Sequence, residues 1–542
     1  MQTPRGFKGV FRSDETARAL YSEGAGIFRI LPEAVAAPES LEDLQTLMRW
    51  AGLTGTALVP RGAGSGMPGG NVGPGVVVDL TRGFKAAPAV NAEARTARAG
   101  ASVTYGQLNA AAGAHGLVLP PDPSSGAFCT LGGMAATNAA GARSVKYGPV
   151  RDWIDAVEFV TAEGEIARAG KDVLTARNAR TDAERRLLSD VAPFLRGHQL
   201  PLEEAPPHVR KNSSGYRLVG NPDNGWVRHL LIGSEGTLGI ITAVEVRLAP
   251  RPARSATILA TLASLEDLTR AVEALLPLEP SAVELLDRTY LDFVRATGSS
   301  VPIGTEAVLL IELETDSSAG AEALRGIAAS VVPADDEAAA RKLWDLRHLA
   351  SPILARLSDT TRSLQVVEDG CVPLPKLAEY VAGLRRIAKD CDFDIVIFGH
   401  AGDAHVHANV LADTRRADLV PRLTRCLADA TRLQLELGGT PSGEHGDGRL
   451  RAPFLARLYG ATYFEACRRV KNAMDPRGIL NPGVKLPLPG TAPALAANAL
   501  KVGASAPPIA PEVVRMLRDI EKGARYGEDR LGLLPAPGVP PV

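Results

Sequence analysis

Three glycine-dense stretches crowd the first half of the chain: VPRGAGSGMPGG (59–70), DPSSGAFCTLGGMAATNAAGARSVKYG (122–148) and LLIGSEGTLGIITAVEVRL (230–248). Glycine gives up side-chain packing for a backbone that turns sharply and lets another group approach its N–H closely. Three such loops together favour a bulky, flat ligand lying against backbone over three unrelated turns. Gly132-Gly133, set among Ala135, Ala136, Ala139 and Ala140, offers such a ligand an open surface. Two standard nucleotide loops fail on spacing. A dinucleotide fingerprint needs glycine three residues after its second glycine, but after Gly62 and Gly64 that place is Met67, and Pro68 with Gly69-Gly70 spoils the expected helix. A P-loop needs Gly-Lys-Ser/Thr, which is absent.

A chain of 542 residues is too long for one core, since domains usually run to roughly 100–200 residues. Two large domains and an appendage are expected, at 1–250, 251–485 and 486–542. The 60 Lys+Arg balance 61 Asp+Glu, which leaves no field to attract nucleic acid or acidic membranes. Cys129, Cys371, Cys391, Cys426 and Cys467 are scattered, with no C-x-x-C pair for a zinc ribbon, redox couple or iron-sulfur site, and read as reduced, buried thiols. No apolar segment follows the N-terminus as in a signal peptide, and none reaches the ~18 residues of a membrane span, so a soluble cytoplasmic protein is expected.

Apolar periodicity places a Ser-capped amphipathic helix over 40–51, then strands at LVP (58–60) and VVVDL (76–80), a βαβ-like unit followed by a second buried strand. Proline and charge in RPARSA, just after residue 250, mark a boundary. Beyond it lie strand-like ATILATL (256–262), AVLLIEL (307–313) and DIVIF (394–398), with helices over 264–276 and 375–389. Strands and helices without a repeated βαβ rhythm predict α+β architecture, an antiparallel sheet covered by helices. After residue 485 an Ala/Pro-rich segment reads as a tail with a short charged helix at 513–522 and an aperiodic end.

The loops resemble the FAD-binding domain of the vanillyl-alcohol oxidase (PCMH) type. PRGAGSG (60–66) is similar to its pyrophosphate loop, 121–141 to its second FAD-binding stretch and GSEGTLGIIT (233–242) to the third. The resemblance implies a two-subdomain FAD domain and cofactor contacts at Arg61, Gly62, Ala63, Gly64, Ser65, Pro121, Asp122, Gly132, Gly133, Thr137, Asn138, Gly141, Glu235, Gly236, Gly239 and Ile240. The pyrophosphate loop has no histidine of the kind some relatives use to attach flavin covalently, so non-covalent FAD is expected.

Four of the nine histidines, His400, His405, His407 and His445, fall within 46 residues, where even spreading would put fewer than one. DIVIFGHAGDAHVHANV (394–410) reads as strand, turn, strand, which sets His405 and His407 on one strand face and His400 at the turn. Glu444, beside His445 in PSGEHGDGR (441–449), can complete a divalent metal site. Gly443, Gly446 and Gly448 would let Glu444 and His445 turn apart, and Asp447 either orients His445 or caps the turn.

GHAGDAHVH (399–407) and SGEHGDG (442–448) resemble two stretches of the FAD-dependent D-2-hydroxy-acid dehydrogenases, and the likeness runs over 251–485. It implies His400, His407 and Glu444 as ligands of a divalent metal, zinc by preference, and His445 as catalytic base, with His405 behind the ligands. It further implies Arg347 on the substrate carboxylate, although a helix-surface arginine is an equal reading, and Asn481 in DPRGILNPG (475–483) near the flavin. The metal would hold the 2-hydroxyl and a carboxylate oxygen of a 2-hydroxy acid, His445, neutral near pH 7, would take the hydroxyl proton, and hydride would pass to flavin.

Where members often carry lysine, this chain has Val367, Glu368 and Asp369, which makes the expected carboxylate pocket less cationic. EDGCVP and SGEHGDGRLR look closest to the long FAD and iron-sulfur D-2-hydroxyglutarate dehydrogenases, yet no cysteine follows Cys467. The resemblance then implies an electron-transfer module that is either a separate subunit or missing, with a separate iron-sulfur protein, a quinone or an electron-transfer flavoprotein as candidate acceptor, and a homo-oligomer as a further candidate. Two other functions stay open: a metal-free FAD oxidase of a sugar, lactone or alcohol, and a non-catalytic flavin electron-transfer subunit.

Overall fold

Ser40 accepts a hydrogen bond from the Asp43 N–H (3.1 Å) and so starts the helix Leu41–Thr54, which buries Leu44, Leu47, Met48 and Ala51. Gly55, in the left-handed region at φ 70°, ends it. The helix connects strands Ala34–Ala37 and Leu58–Arg61, which both pair in parallel with the strand Val76–Asp79 between them. Val10–Arg12 adds an antiparallel edge. The first glycine loop leaves the C-terminal end of Leu58–Arg61, where open parallel sheets place their ligand crevices. The computed structural model describes residues 1–198, 207–218, 225–296, 298, 303–355, 357–358 and 360–534.

A second sheet is antiparallel, in the order Ala89–Asn91, Thr96–Gly100, Ile240–Arg247, Ile154–Val160, Ile166–Ala169. The helix Leu131–Thr137, opened by the Thr130 hydroxyl accepting from Gly133 N–H at 3.2 Å, packs against Ile240–Arg247. That contact brings the second and third glycine loops together.

The third sheet has eight strands, every pair antiparallel. The order is Ser330–Pro333, Ala256–Leu262, Ala307–Leu313, Ala282–Asp287, Asp394–His400, His405–Asp413, Thr361–Leu364, with Gly370–Cys371 pairing the His405–Asp413 strand. Helices Leu265–Leu275, Leu377–Asp390 and Leu419–Glu436 share a core with one of its faces, as the α+β expectation requires. The register sets Glu284 opposite His400, and His400 opposite His405 across the turn.

The segment 486–534 lies along the body. Lys501 N–H donates to Ile27 O (2.9 Å) and Arg29 N–H to Ala499 O (2.8 Å). The helix Pro511–Lys522 buries Val513, Leu517 and Ile520 among Leu20, Tyr21, Val35 and Val77. The Pro-rich end, 535–542, lies outside the described residues. All five cysteines are buried and free, and no described helix is long and apolar enough to cross a membrane.

Leu309 lies on the central strand Ala307–Leu313 and is fully buried. Leu309→Ala is expected to cost about 3 kcal/mol through lost transfer energy and the cavity left behind. Chemical denaturation followed by far-UV circular dichroism measures it, and an unchanged midpoint would show that this core is loosely packed.

Candidate active site

The three glycine loops and the histidine hairpin meet at one cavity of about 1330 Å³. Its walls include Arg61, Gly62, Ala63, Gly64, Ser65, Asp122, Gly132, Gly133, Thr137, Gly141, Glu235, Gly236, Gly239 and Ile240 from the first 250 residues. Arg347, His400, His407, Glu444 and His445 complete it from the other side. Arg61 is 2% exposed, and its Nη2 has no hydrogen-bond partner among the described residues. A buried, unsatisfied guanidinium at a glycine loop fits the pyrophosphate of a dinucleotide.

Pro121, Asn138 and Asn481 do not line the cavity. Pro121 is buried beside it. Asn138, left-handed at φ 55°, accepts from Arg151 N–H at 3.2 Å and donates to Ser213 Oγ at 3.3 Å. Asn481 donates to Gly70 O (2.7 Å) and Glu235 O (2.8 Å), and so ties the first glycine loop to the third. These two asparagines set the shape of the loops.

At the histidine end, the 3.2 Å between His400 Nε2 and His407 Nε2 is matched by 3.1 and 3.4 Å from each to Glu444 Oε1. Zinc bonds of about 2.0–2.1 Å put tetrahedral ligands about 3.3 Å apart, so these three atoms have the spacing of one face of a metal site. Their tautomers agree with that reading. His400 Nδ1 lies 2.6 Å from Glu284 Oε1, and His407 Nδ1 lies 2.8 Å from Glu368 O. Both acceptors draw the ring proton to Nδ1 and leave the two Nε2 lone pairs facing each other, which a cation between them resolves. Glu444 offers one oxygen, because its Oε2 is taken by Gly141 N–H (2.7 Å) and Lys211 Nζ (3.0 Å). Gly141, expected at the cofactor, thus holds the Glu444 carboxylate.

His405 shares the strand face of His407 but is fully buried, with Nε2 2.8 Å from Asp369 Oδ1. Burial and the Lys211 cation push its pKa down to about 3, so it stays neutral. His400 moves the other way: burial alone would lower its pKa, and the Glu284 carboxylate outweighs that.

His445 departs from expectation in two respects. Its ring stacks on His407 (5.2 Å, 18°) and its Nε2 lies 3.9 Å from Glu444 Oε1, so the neighbouring pair converges on one site instead of turning apart. The reason is Asp369, which accepts from Glu444 N–H (3.1 Å), His445 N–H (2.9 Å) and Ser442 Oγ–H (2.9 Å) and curls the loop around one carboxylate. Second, His445 Nδ1 pairs with Glu368 Oε2. Burial opposes protonation, but Glu368 and Asp369 overcome it and push the pKa up to about 10. The metal-free ring is thus protonated at pH 7, not neutral.

The glycines act by permitting contact. At Gly443 a Cβ would meet the His405 ring at 2.6 Å, and at Gly448, φ 52°, it would meet Pro68 O at 2.0 Å. Asp447 does neither of the jobs expected of it. It accepts from Ser214 Oγ–H (2.6 Å), Gly215 N–H (2.8 Å) and Lys485 Nζ (2.9 Å), while Glu235 receives the Asp447 and Gly448 N–H groups at 2.7 and 2.9 Å. Arg347 lines the cavity, donates Nε–H to Glu284 Oε2 at 2.8 Å and lies 4.8 Å over the Phe398 ring.

Sequence reasoning missed Lys211, which is 2% exposed beside Glu444 and Asp403, and it saw Glu368 and Asp369 only as missing positive charge. The signal was present in the adjacent acids of VVEDGC, which need buried partners of opposite charge.

A glycine-lined dinucleotide cleft closed by an imidazole and carboxylate cluster defines a flavin-dependent oxidoreductase. Family models agree along the chain: "FAD binding domain" matches residues 32–170, and "FAD linked oxidases, C-terminal domain" matches 251–484. The glycolate oxidase subunit GlcD of Bacillus subtilis is 31% identical, over 87% of this chain and 93% of that protein. D-lactate dehydrogenase of Archaeoglobus fulgidus is 30% identical (88% and 95%), and D-2-hydroxyglutarate dehydrogenase of Xanthomonas citri pv. viticola 31% (83% and 89%). Among solved structures, alkyldihydroxyacetonephosphate synthase shares the fold with a TM-score of 0.57 at 17% identity, covering 87% of this chain and 82% of that one. The chain belongs to the FAD-linked oxidase family and is an FAD-dependent oxidoreductase.

A raised His445 pKa stabilises the metal-free fold below the unfolded value of about 6.5, and that contribution is lost as pH rises through about 10. Glu368→Gln is expected to bring the titration down toward the ordinary imidazole range. Side-chain nitrogen NMR of histidine-labelled, metal-free protein reads it, and a titration still near 10 would assign the effect to Asp369.

Proposed function

We propose that the protein is an FAD- and divalent-metal-dependent dehydrogenase that oxidises a D-2-hydroxy acid of the lactate, glycolate or 2-hydroxyglutarate type to the 2-keto acid. The observation that carries this is the convergence of His400 Nε2, His407 Nε2 and Glu444 Oε1 within 3.4 Å of one another, beside His445, on the wall of the FAD cleft. The names of the three relatives support the substrate class.

When bound, FAD supplies the two-electron acceptor and the dication, zinc by preference, polarises the hydroxyl that gives up its proton. Arg61, Gly62, Ala63, Gly64, Ser65, Gly132, Gly133, Thr137, Gly236, Gly239 and Ile240 would hold FAD, non-covalently, and His400, His407 and Glu444 would hold the metal. His445 keeps its Nδ1–H on Glu368 and turns Nε2 toward the Glu444 oxygen that faces the metal site, in position to receive the substrate proton. Arg347 offers the substrate carboxylate a planar, permanently charged partner.

Charge supports an anionic substrate. The permanent cations Lys211, Arg347 and Arg451 pair with Glu444, Glu284 and Glu368 around the site, and a bound dication would add two positive charges beside them, which suits a substrate carboxylate. The same dication opposes protonation of His445 and returns the ring toward the base form the reaction requires. A separate iron-sulfur, quinone or flavoprotein acceptor would then reoxidise the enzyme.

The purified protein is expected to show a flavin spectrum, to carry about one zinc, manganese or similar ion per chain by elemental analysis, and to be bleached by D- and not L-2-hydroxy acids. His445→Asn should slow bleaching roughly 10²- to 10⁴-fold, the usual worth of a general base, with FAD and metal content retained. A protein free of metal and active on sugars or alcohols would sink the proposal, and unchanged bleaching would remove His445 from this role.

A further inference from the structure

The matched family models end at residue 484, yet the cleft wall continues past it. Glu521, Lys522, Gly523, Ala524 and Tyr526 all line the cavity. Tyr526 meets Phe128, another wall residue, with ring centroids 5.7 Å apart, so the two present an aromatic surface.

The segment is held at both ends. Arg82 grips Asp529 with Nε–H at 3.1 Å and Nη2–H at 2.9 Å, and Arg530, 3% exposed, donates to Leu20 O (2.8 Å) and Glu23 O (3.1 Å). On the other side Glu521 accepts from Arg362 (2.8 Å), Lys501 (3.1 Å) and Arg518 (2.7 Å). The clamps therefore reach both the first glycine loop's sheet, through the residues around it, and the C-terminal sheet, through Arg362 on Thr361–Leu364.

Arg530 and Arg61 donate to the same carbonyl, Glu23 O, at 3.1 and 3.0 Å, which ties this segment to the arginine of the first glycine loop. His445 instead pairs with Glu368 and stacks on His407, so the aromatic pair and the histidine end occupy different parts of the cleft wall. The reacting flavin ring belongs beside His445, which leaves Tyr526, on the side of Arg61 and its unsatisfied Nη2, for the other half of the cofactor.

We propose that residues 511–534 form a built wall of the FAD site and that Tyr526, with Phe128, packs against the adenosine half of FAD. The proposal rests on FAD binding and not on the choice of hydroxy acid. An aromatic face suits a purine, and such stacking carries much of the affinity in other base-binding sites.

Apo-protein prepared from the full chain and titrated with FAD tests this by quenching of flavin fluorescence. Tyr526→Ala is expected to raise the FAD dissociation constant roughly tenfold, while Tyr526→Phe stays near wild type because the ring and not the hydroxyl makes the contact. The visible spectrum of fully loaded Tyr526→Ala should match wild type, since the flavin ring is not its neighbour. Hydrogen exchange on wild-type protein gives a readout independent of any variant's folding, with peptides over 521–530 slowing when FAD is added to the apo-protein. A Tyr526→Ala dissociation constant within twofold of wild type, a shifted visible spectrum, or exchange over 521–530 indifferent to FAD would each overturn the proposal. Wild-type apo-protein that binds no FAD would overturn the proposed function along with it, whereas substrate specificity other than a 2-hydroxy acid would leave this inference standing.

Discussion

A single fully buried carboxylate, Asp369, organises the reactive end of this protein. It accepts two backbone N–H groups and a hydroxyl from residues 442–445 and pairs with His405 and His445. Burial would raise its pKa, but the imidazoles and Arg451 hold it well below the usual carboxylate range. A buried charge of this kind is tolerable only with every lone pair engaged, and here each engagement fixes one part of the site. The loop that carries Glu444 and His445 has no helix or strand of its own to hold it, so its shape is largely the shape of what Asp369 can satisfy.

The same logic joins the two sides of the cleft. Glu235, from the third glycine loop, receives the Asp447 and Gly448 N–H groups, and Lys485 bridges Glu235 (3.1 Å) and Asp447 (2.9 Å). Gly141 and Lys211 fasten Glu444 from the FAD side. The two sides of the cleft thus hold each other in register, which the proposed hydride transfer requires, since reaction falls off steeply with misplacement of the reacting atoms.

Local pattern made much of the fold legible. The strands 256–262 and 307–313 lie where continuous apolar runs predict them, and Ser40 and Ser264 cap their helices as their spacing implies. The three glycine loops and the histidine cluster were legible because each concentrates one chemistry in a short stretch. Three features were not. The role of Asn481 depends on Gly70 and Glu235, hundreds of residues away or brought near only by folding, and its hydrogen bonds leave no local trace. Lys211 sits in an ordinary-looking KNSSG segment, and only burial beside Glu444 gives it meaning. His445's proton preference depends on Glu368, 77 residues earlier.

By itself the sequence determined the composition of the site: which segments carry glycine for close backbone approach, which histidines lie together, and that an acid and an imidazole adjoin at 444 and 445. Only the tertiary structure decided how those groups face one another. Whether Glu444 and His445 diverge or converge, which histidine charges and which stays neutral, and whether the chain beyond 485 hangs free or walls the cleft all depend on partners remote in sequence. Electrostatic and hydrogen-bond energies act through space over a few ångströms, and the chain sets such distances only once its sheets have brought the loops together.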